Sequence, residues 1–379
     1  MRLPFFLIVI LCIVSACVEK YPAAIRVEVP KLVVDGTITT SKPPYRIQLS
    51  YSGVFDYAFQ ALGDKPVKDA QIKIKYSRKS TGFKYLGKGV YESTNLTFRG
   101  VVGQTYLLQI QLPNGRKFSS FPEKMPSPVA IQSIYGEFFK KSLYQTESVI
   151  VKDQRTIPPL YPSGPNIYAA EPDGPSGYQV FIDSQDPANE NNYYRWTATS
   201  VTRRETTGRC DSLTLCLCNC VIGASCFVPR QHLDINTTSD ALINGNPIKR
   251  KYVCYVPVFT TGNIYLEINQ MTMTKAAYQF WKRYQEQLSR TGSILDPLPA
   301  PIEGNIYNLD NPSDLALGYF SAMGNFKKRH IIPVQLLDSY LLPQGVSRRR
   351  GTCLENYGSL GAYDTNQWPT PSWSTEDLN

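Results

Sequence analysis

The segment Thr105-Tyr106-Leu107-Leu108-Gln109-Ile110-Gln111-Leu112, the turn Pro113-Asn114-Gly115-Arg116 and the return Lys117-Phe118-Ser119-Ser120-Phe121 constrain this chain most. Successive side chains of a strand point to opposite faces, so alternating apolar residues define one face that must be buried. Asn-Gly between two such runs supplies the positive φ angles of a tight hairpin turn. A lone hairpin is marginal in water, so these residues demand further strands to cover them.

The sequence around the hairpin offers those strands. Leu32 to Ile38, Tyr45 to Ser50 and Ala70 to Tyr76 alternate in the same way. Gly87-Lys88-Gly89 and Gly100-Val101-Val102-Gly103 punctuate before further strands. About seven strands in roughly ninety residues predict an Ig-like or prealbumin-like β-sandwich over residues 31–122. Composition agrees: Tyr 25, Phe 16, Pro 28 and only 19% charged residues suit a turn-rich, mainly β protein.

Phe121 to Pro128 carries three prolines and predicts a linker. Beyond it a larger β-rich domain is expected over 129–357. It has strands at Val149–Val151, Tyr178–Ile182, Tyr194–Thr199, Tyr252–Phe259, Ile264–Gln270, Gly318–Ala322 and Arg329–Val334, and loops at 158–175 and 183–192. One amphipathic helix stands in it. Thr274 is the expected cap of Lys275–Arg290, whose Ala277, Phe280, Trp281, Tyr284 and Leu288 fall on one stripe. That stripe reads as a sheet-covering face, with a partner-binding surface as the alternative. The tail 358–379, with Trp368 and Trp373, reads as loosely ordered.

The first residues describe an export signal. Met1-Arg2 is a short basic region, Leu3 to Val14 is an apolar stretch too short to span a bilayer, and Val14-Ser15-Ala16-Cys17 ends it. Small residues immediately before a cysteine predict a type II signal peptide at 1–16, acylation (palmitate among the chains) of Cys17 and a short tether over 17–30. Several acyl chains anchor stably. Val18-Glu19-Lys20 has no aspartate directly after the cysteine, so the expected location is the outer membrane, leaning to the cell surface.

Export sets the reading of the remaining cysteines. Cys210, Cys216, Cys218, Cys220 and Cys226 lie close together, with Cys254 and Cys353 downstream. Seven thiols in an oxidising compartment suggest three disulfides and one odd thiol. Cys-x-Cys-x-Cys also offers soft ligands to Zn²⁺ or Cu(I), but paired Cys-x₂-Cys spacing is missing and His232 alone lies nearby. No cofactor or metal is assigned.

Catalytic signals are few. His232 and His330 are the two histidines; there is no Gly-x-Ser-x-Gly, His-Glu-x-x-His, P-loop or Gly-x-Gly-x-x-Gly pattern. Asp183, Asp186, Asn189, Glu190 and Asn191 offer oxygen to Ca²⁺ but lack the EF-hand glycine and glutamate, and read rather as a polar inter-strand loop. The net charge of +9 is scattered, without a nucleic-acid motif, and suits a solvated face with some attraction to anionic headgroups. No catalytic residue is assigned.

The order of these features resembles the DUF4249 family, a domain of unknown function found in Bacteroidetes lipoproteins. The residues that carry the resemblance are the segment ending at Cys17, Leu32–Ile38, Asp69–Ile74, Gly87–Tyr91, Gly100–Leu108 and Gly318–Ala322. The resemblance implies an outer-membrane lipoprotein encoded beside a TonB-dependent transporter and working with it. It implies no catalytic residues. The leading expectation is a non-enzymatic accessory or ligand-capture protein serving that transporter. An extracellular hydrolase acting on glycan or peptide and a structural or adhesin-like envelope protein are the alternatives.

Overall fold

A computed structural model of the chain describes residues 30–53, 65–140, 176–188, 190–207, 209–210, 220–221, 225–258, 262–289, 301–334, 349–350 and 363–364. The expected signal peptide, Cys17 and its tether up to residue 29, the 149–151 strand, the 158–175 loop and most of the tail lie outside the described residues.

Nine strands precede the proline-rich segment or lie in it: β1 (Leu32–Thr39), β2 (Arg46–Tyr51), β3 (Lys65–Pro66), β4 (Gln71–Tyr76), β5 (Lys79–Gly87), β6 (Val90–Ser93), β7 (Thr105–Gln111), β8 (Lys117–Ser120) and β9 (Glu123–Lys124). After it come β10 (Ile131–Lys140), β11 (Ser176–Gln185), β12 (Tyr193–Thr207), β13 (Arg209–Cys210), β14 (Cys220–Val221), β15 (Ser225–Ser239), β16 (Pro247–Pro257) and β17 (Asn263–Met273). The helix α1 (Lys275–Leu288) follows, then β18 (Glu303–Asn308), β19 (Leu315–Pro333), β20 (Arg349–Arg350) and β21 (Tyr363–Asp364). No helix among the described residues is long and apolar enough to cross a membrane.

The mainly β expectation holds, and alternation puts the expected residues inside. Val34, Ile38, Ile47, Leu49, Ile72, Ile74, Leu108 and Ile110 are buried in one core. The hairpin forms at Asn114-Gly115, with Leu112 N–H donating to Arg116 O at 2.9 Å, but only Gly115 of the pair takes a positive φ, +87°.

The architecture around that core differs from the expected sandwich. The strands run β1-β2-β6-β5-β4-β7-β8-β18-β19, and β19 returns to β1, closing a barrel-like ring of nine strands. The closing seam is parallel, from Val33 opposite Leu317 to Thr39 opposite Met323. Two of the nine strands therefore come from far beyond the proline-rich segment. Closure removes the open edges that two separate sheets would keep.

The second unit is built of two layers. β10-β11-β16 form a three-stranded sheet. It packs against β15-β12-β17-β19 around Ile134, Val180, Ile182, Trp196, Val256, Leu266 and Ile268. β19 belongs to both units: its first half pairs with β1, and Gly324 to Pro333 pair with β17.

The proline-rich segment is not a free spacer. Glu123 and Lys124 pair with β7, Met125 is buried, and Thr272 Oγ1 donates to Ser127 O at 2.6 Å. It crosses β19 at Gly324, where a Cβ would stand 2.5 Å from Pro126 O. Only a residue without a side chain permits that crossing.

The helix starts where expected, with Ala277 N–H donating to Thr274 Oγ1 at 3.2 Å. It ends at Leu288, and Ala277 and Phe280 are its buried residues, packed with Met271, Met273, Tyr319 and Met323. Leu288, placed on the apolar stripe by periodicity, is 57% exposed.

Candidate functional site

Two of the segments that carried the family resemblance meet at the barrel seam. Val34, Asp35, Gly36, Thr37 and Ile38 lie opposite Gly318, Tyr319, Phe320, Ser321 and Ala322. Gly318 has φ +85°, and a Cβ on it would stand 2.0 Å from Val34 O. The seam closes because that position has no side chain. Val34, Gly36 and Ile38 turn into the core, which leaves Asp35 on the outer face.

Asp35 is reachable by solvent, yet the surrounding protein desolvates its carboxyl and raises its pKa, while the Arg195 charge draws it back part of the way. Asp35 is close enough to feel the charge of Arg195 and to act on Tyr284, so it shares an outer patch with β12 and α1. Arg195 on β12 lies flat over the Trp281 ring, with its guanidinium carbon 3.6 Å from the centroid. Tyr284 is half-buried; burial and then the Asp35 charge raise its pKa.

A buried carboxylate holds the helix to the seam. Glu123 accepts from Tyr319 Oη at 2.6 Å and from Thr274 Oγ1 at 2.8 Å, with Asn305 Nδ2 at 3.5 Å. Burial raises its pKa, and these three hydrogen bonds oppose the rise. Asn305 also bonds the backbone of Phe320 on both sides, at 2.8 and 2.9 Å. The network ties β9, β18, β19 and α1 together, and its buried polar atoms serve the architecture. Sequence inspection missed Glu123 and Asp35, because one acid among 31 carries no local signal.

The residues that sequence inspection did single out fall elsewhere. His232 Nε2 lies 2.9 Å from Ser200 Oγ. Ser200 is wholly buried and belongs to the face of β12 that packs into the two-layer core. His330 lies on β19 opposite Leu266, half-buried, its pKa lowered by burial and then by Lys328.

The candidate Ca²⁺ loop is occupied by its own bonds. Asp183 accepts from Arg250 N–H at 2.9 Å and from Lys249 Nζ at 3.3 Å, and its pKa is lowered by the first of these above all. Asp186 is buried, accepting from Tyr194 Oη and from Gly245 N–H. Asn189 lies outside the described residues, and Glu190 and Asn191 are exposed. Among the described residues no group of three or more His, Cys, Asp and Glu side chains is arranged to hold a metal ion.

The cysteines separate. Cys210 and Cys220 lie directly opposite each other in the short β13–β14 ladder. Cys226 is buried and disulfide-bonded, to a partner whose side chain is outside the described residues. Cys254, one of the seven disulfide candidates, is a free, buried thiol, with its pKa pushed up to about 12, chiefly by burial. It is packed in the two-layer core. Cys17, Cys216, Cys218 and Cys353 lie outside the described residues.

The outer face of the three-stranded sheet is aromatic. Tyr135, Phe181 and Tyr252 form one row across it, with centroids 5.9 and 6.0 Å apart, and Arg250 lies over Phe181 at 4.6 Å. Phe139 and Tyr252 are each 40% exposed.

No curated protein and no solved structure matches the chain. The model of the family described as "Domain of unknown function (DUF4249)" matches residues 18–329, which takes in the barrel, the helix and most of the two-layer unit. With a match over most of its length, the chain belongs to the DUF4249 family.

Proposed function

We propose that this protein is a lipid-anchored, non-enzymatic binding module of the bacterial outer membrane, an accessory or ligand-capture partner of a TonB-dependent transporter, with the seam patch as its binding site. The observation that carries the binding reading is Asp35, exposed on the outer face of β1 and close to an arginine stacked on tryptophan. Fixed opposite charges beside aromatic rings orient a polar ligand or a partner's loop. The Ser200–His232 pair, the nearest approach to a nucleophile and its base among the described residues, lies beside the other core.

The location rests on the Val14-Ser15-Ala16-Cys17 segment, and the Bacteroidetes origin on the family resemblance. From a lipidated Cys17, the thirteen residues 18–30 reach at most about 45 Å. Confinement to that layer raises the local concentration of any membrane partner, so weak contacts suffice. In this reading the disulfides around Cys210, Cys220 and Cys226 staple the excursion between β12 and β15.

Capture from detergent-solubilised membranes tests the reading. Wild-type protein is expected to retain a TonB-dependent transporter, and Arg195→Glu is expected to lose it. Recovery of no transporter by wild type sinks the partnership. The hydrolase alternative draws on the Ser200–His232 contact and predicts covalent labelling by a fluorophosphonate that Ser200→Ala abolishes. The adhesin alternative draws on the Tyr135–Phe181–Tyr252 row and predicts surface binding that survives Arg195→Glu but not Tyr252→Ala.

A further inference from the structure

The two rims of the barrel differ. At one, β1 ends at Thr39 beside Met323, and β19 continues into the two-layer unit. Thr40 and Ser41 bond Asn325 there, so this rim is joined to the second unit. The β4–β5 turn at Ser77-Arg78 opens on the same side, since Ser77 Oγ donates to Gln104 and Gly103 N–H donates to Met125 O.

The other rim is where residue 30 leads into β1. Leu32 pairs with Tyr51, and Tyr51 with Lys65. The β5–β6 turn at Lys88-Gly89 reaches Leu49, and the β7–β8 and β18–β19 turns meet where Leu309 N–H donates to Lys117 O. Among the described residues, Lys31, Lys65, Lys68, Lys88, Arg116 and Lys117 gather at this rim, against Asp69, Asp310 and Asp314. Asp314 is paired with Arg116 at 2.5 Å. Leu86, next to the β5–β6 turn, is 49% exposed, and Leu309 is 45% exposed. A basic rim tipped with apolar side chains, on the side from which the N-terminal segment leaves, fits one kind of partner.

We propose that this rim docks on the headgroups of an anionic phospholipid bilayer, so that the barrel stands on the membrane and the two-layer unit is held away from it. The proposal uses the anchor reading to bring the rim to the bilayer; the charge of the rim stands without it. Each basic residue near an anionic surface strengthens partitioning by roughly fivefold, and the attraction weakens as salt shortens the Debye length. The Asp35 patch lies on the barrel wall, so docking leaves it open to a membrane partner.

The test uses the chain with Cys17→Ser, exported behind an ordinary cleavable leader, so that no lipid contributes. It is sedimented with vesicles rich in phosphatidylglycerol or made of phosphatidylcholine alone. Binding to the anionic vesicles is expected to exceed binding to the neutral ones and to fall at high salt. Reversal of Lys31, Lys65, Lys68 and Lys117 to Glu is expected to cut binding by on the order of a hundredfold or more. Arg78→Glu with Lys79→Glu, at the joined rim, is expected to leave it within about twofold. A Lys→Gln set at the same four positions serves if the reversals do not fold. Equal binding to both vesicles, or equal loss from either rim, overturns the proposal. The mass of Cys17 in protein extracted from membranes tests the anchor separately, so each reading fails by its own measurement.

Discussion

Gly318→Ala tests the barrel seam directly. The residue sits at φ +85°, where a side chain costs about 1–2 kcal/mol. The added Cβ would also stand 2.0 Å from Val34 O, while real Cβ contacts do not fall below 3.0 Å. One strand must therefore move away by about an ångström, which weakens a neighbouring hydrogen bond of the parallel ladder, worth about 1 kcal/mol. The sum is about 3 kcal/mol, a large part of the roughly 5–15 kcal/mol that holds a folded protein together. Urea unfolding followed by far-UV circular dichroism should show the midpoint lowered by about 1 M, given a slope near 3 kcal/mol/M. Gly103→Ala is the control: its φ is +78°, and a Cβ there has no neighbour within 4 Å. It should pay the dihedral cost alone. If Gly318→Ala destabilises no more than Gly103→Ala, the seam is not closed as described.

Glu123 is raised above its ordinary range by burial, so the folded state holds its proton more tightly than the unfolded state. Its contribution is therefore fully present at acid pH and lost as pH rises through the folded value. Melting temperatures between pH 4 and 8 should fall more steeply with pH for wild type than for Glu123→Gln; parallel curves would refute this. Trp196→Phe removes the donor that bonds buried Gln270 Oε1 at 2.9 Å and leaves a small void. A loss of about 2–4 kcal/mol in denaturant unfolding is expected, and a loss under about 1 kcal/mol would show the bond to be dispensable. Cys254, buried with its pKa near 12, should resist Ellman's reagent in the native protein and react once the protein is unfolded without reductant. Fast reaction of Cys254 in the native state would contradict its burial.

Much of the local structure was legible in the sequence. The Asn114-Gly115 turn, the alternation of Ile72 and Ile74, and the Thr274 cap are each set by residues within a few positions of one another. The misreadings have a common origin in distance along the chain. A β-sandwich and a closed barrel bury the same alternating residues, so the first strands did not distinguish them. The missing strands β18 and β19 lie beyond the whole two-layer unit. Prolines at 122, 126 and 128 suggested a spacer, but the backbone between them still pairs with β7 and crosses Gly324. Which of the seven thiols stays free had no local signal; Cys254 does, and its place in the two-layer core separates it from the candidates near β13 and β14.

The sequence by itself determined the β character, the inward face of each early strand, the turns and the helix start, because these follow from the two-residue and 3.6-residue periods and from local hydrogen bonds. The tertiary structure alone decided the closure of the barrel, the patch at Asp35 and the basic rim. Each is made by residues brought together from distant parts of the chain, Asp35 with Arg195 and Trp281, and Lys31 with Lys65 and Lys117. No local pattern encodes such neighbours; they meet only when β19 returns to β1.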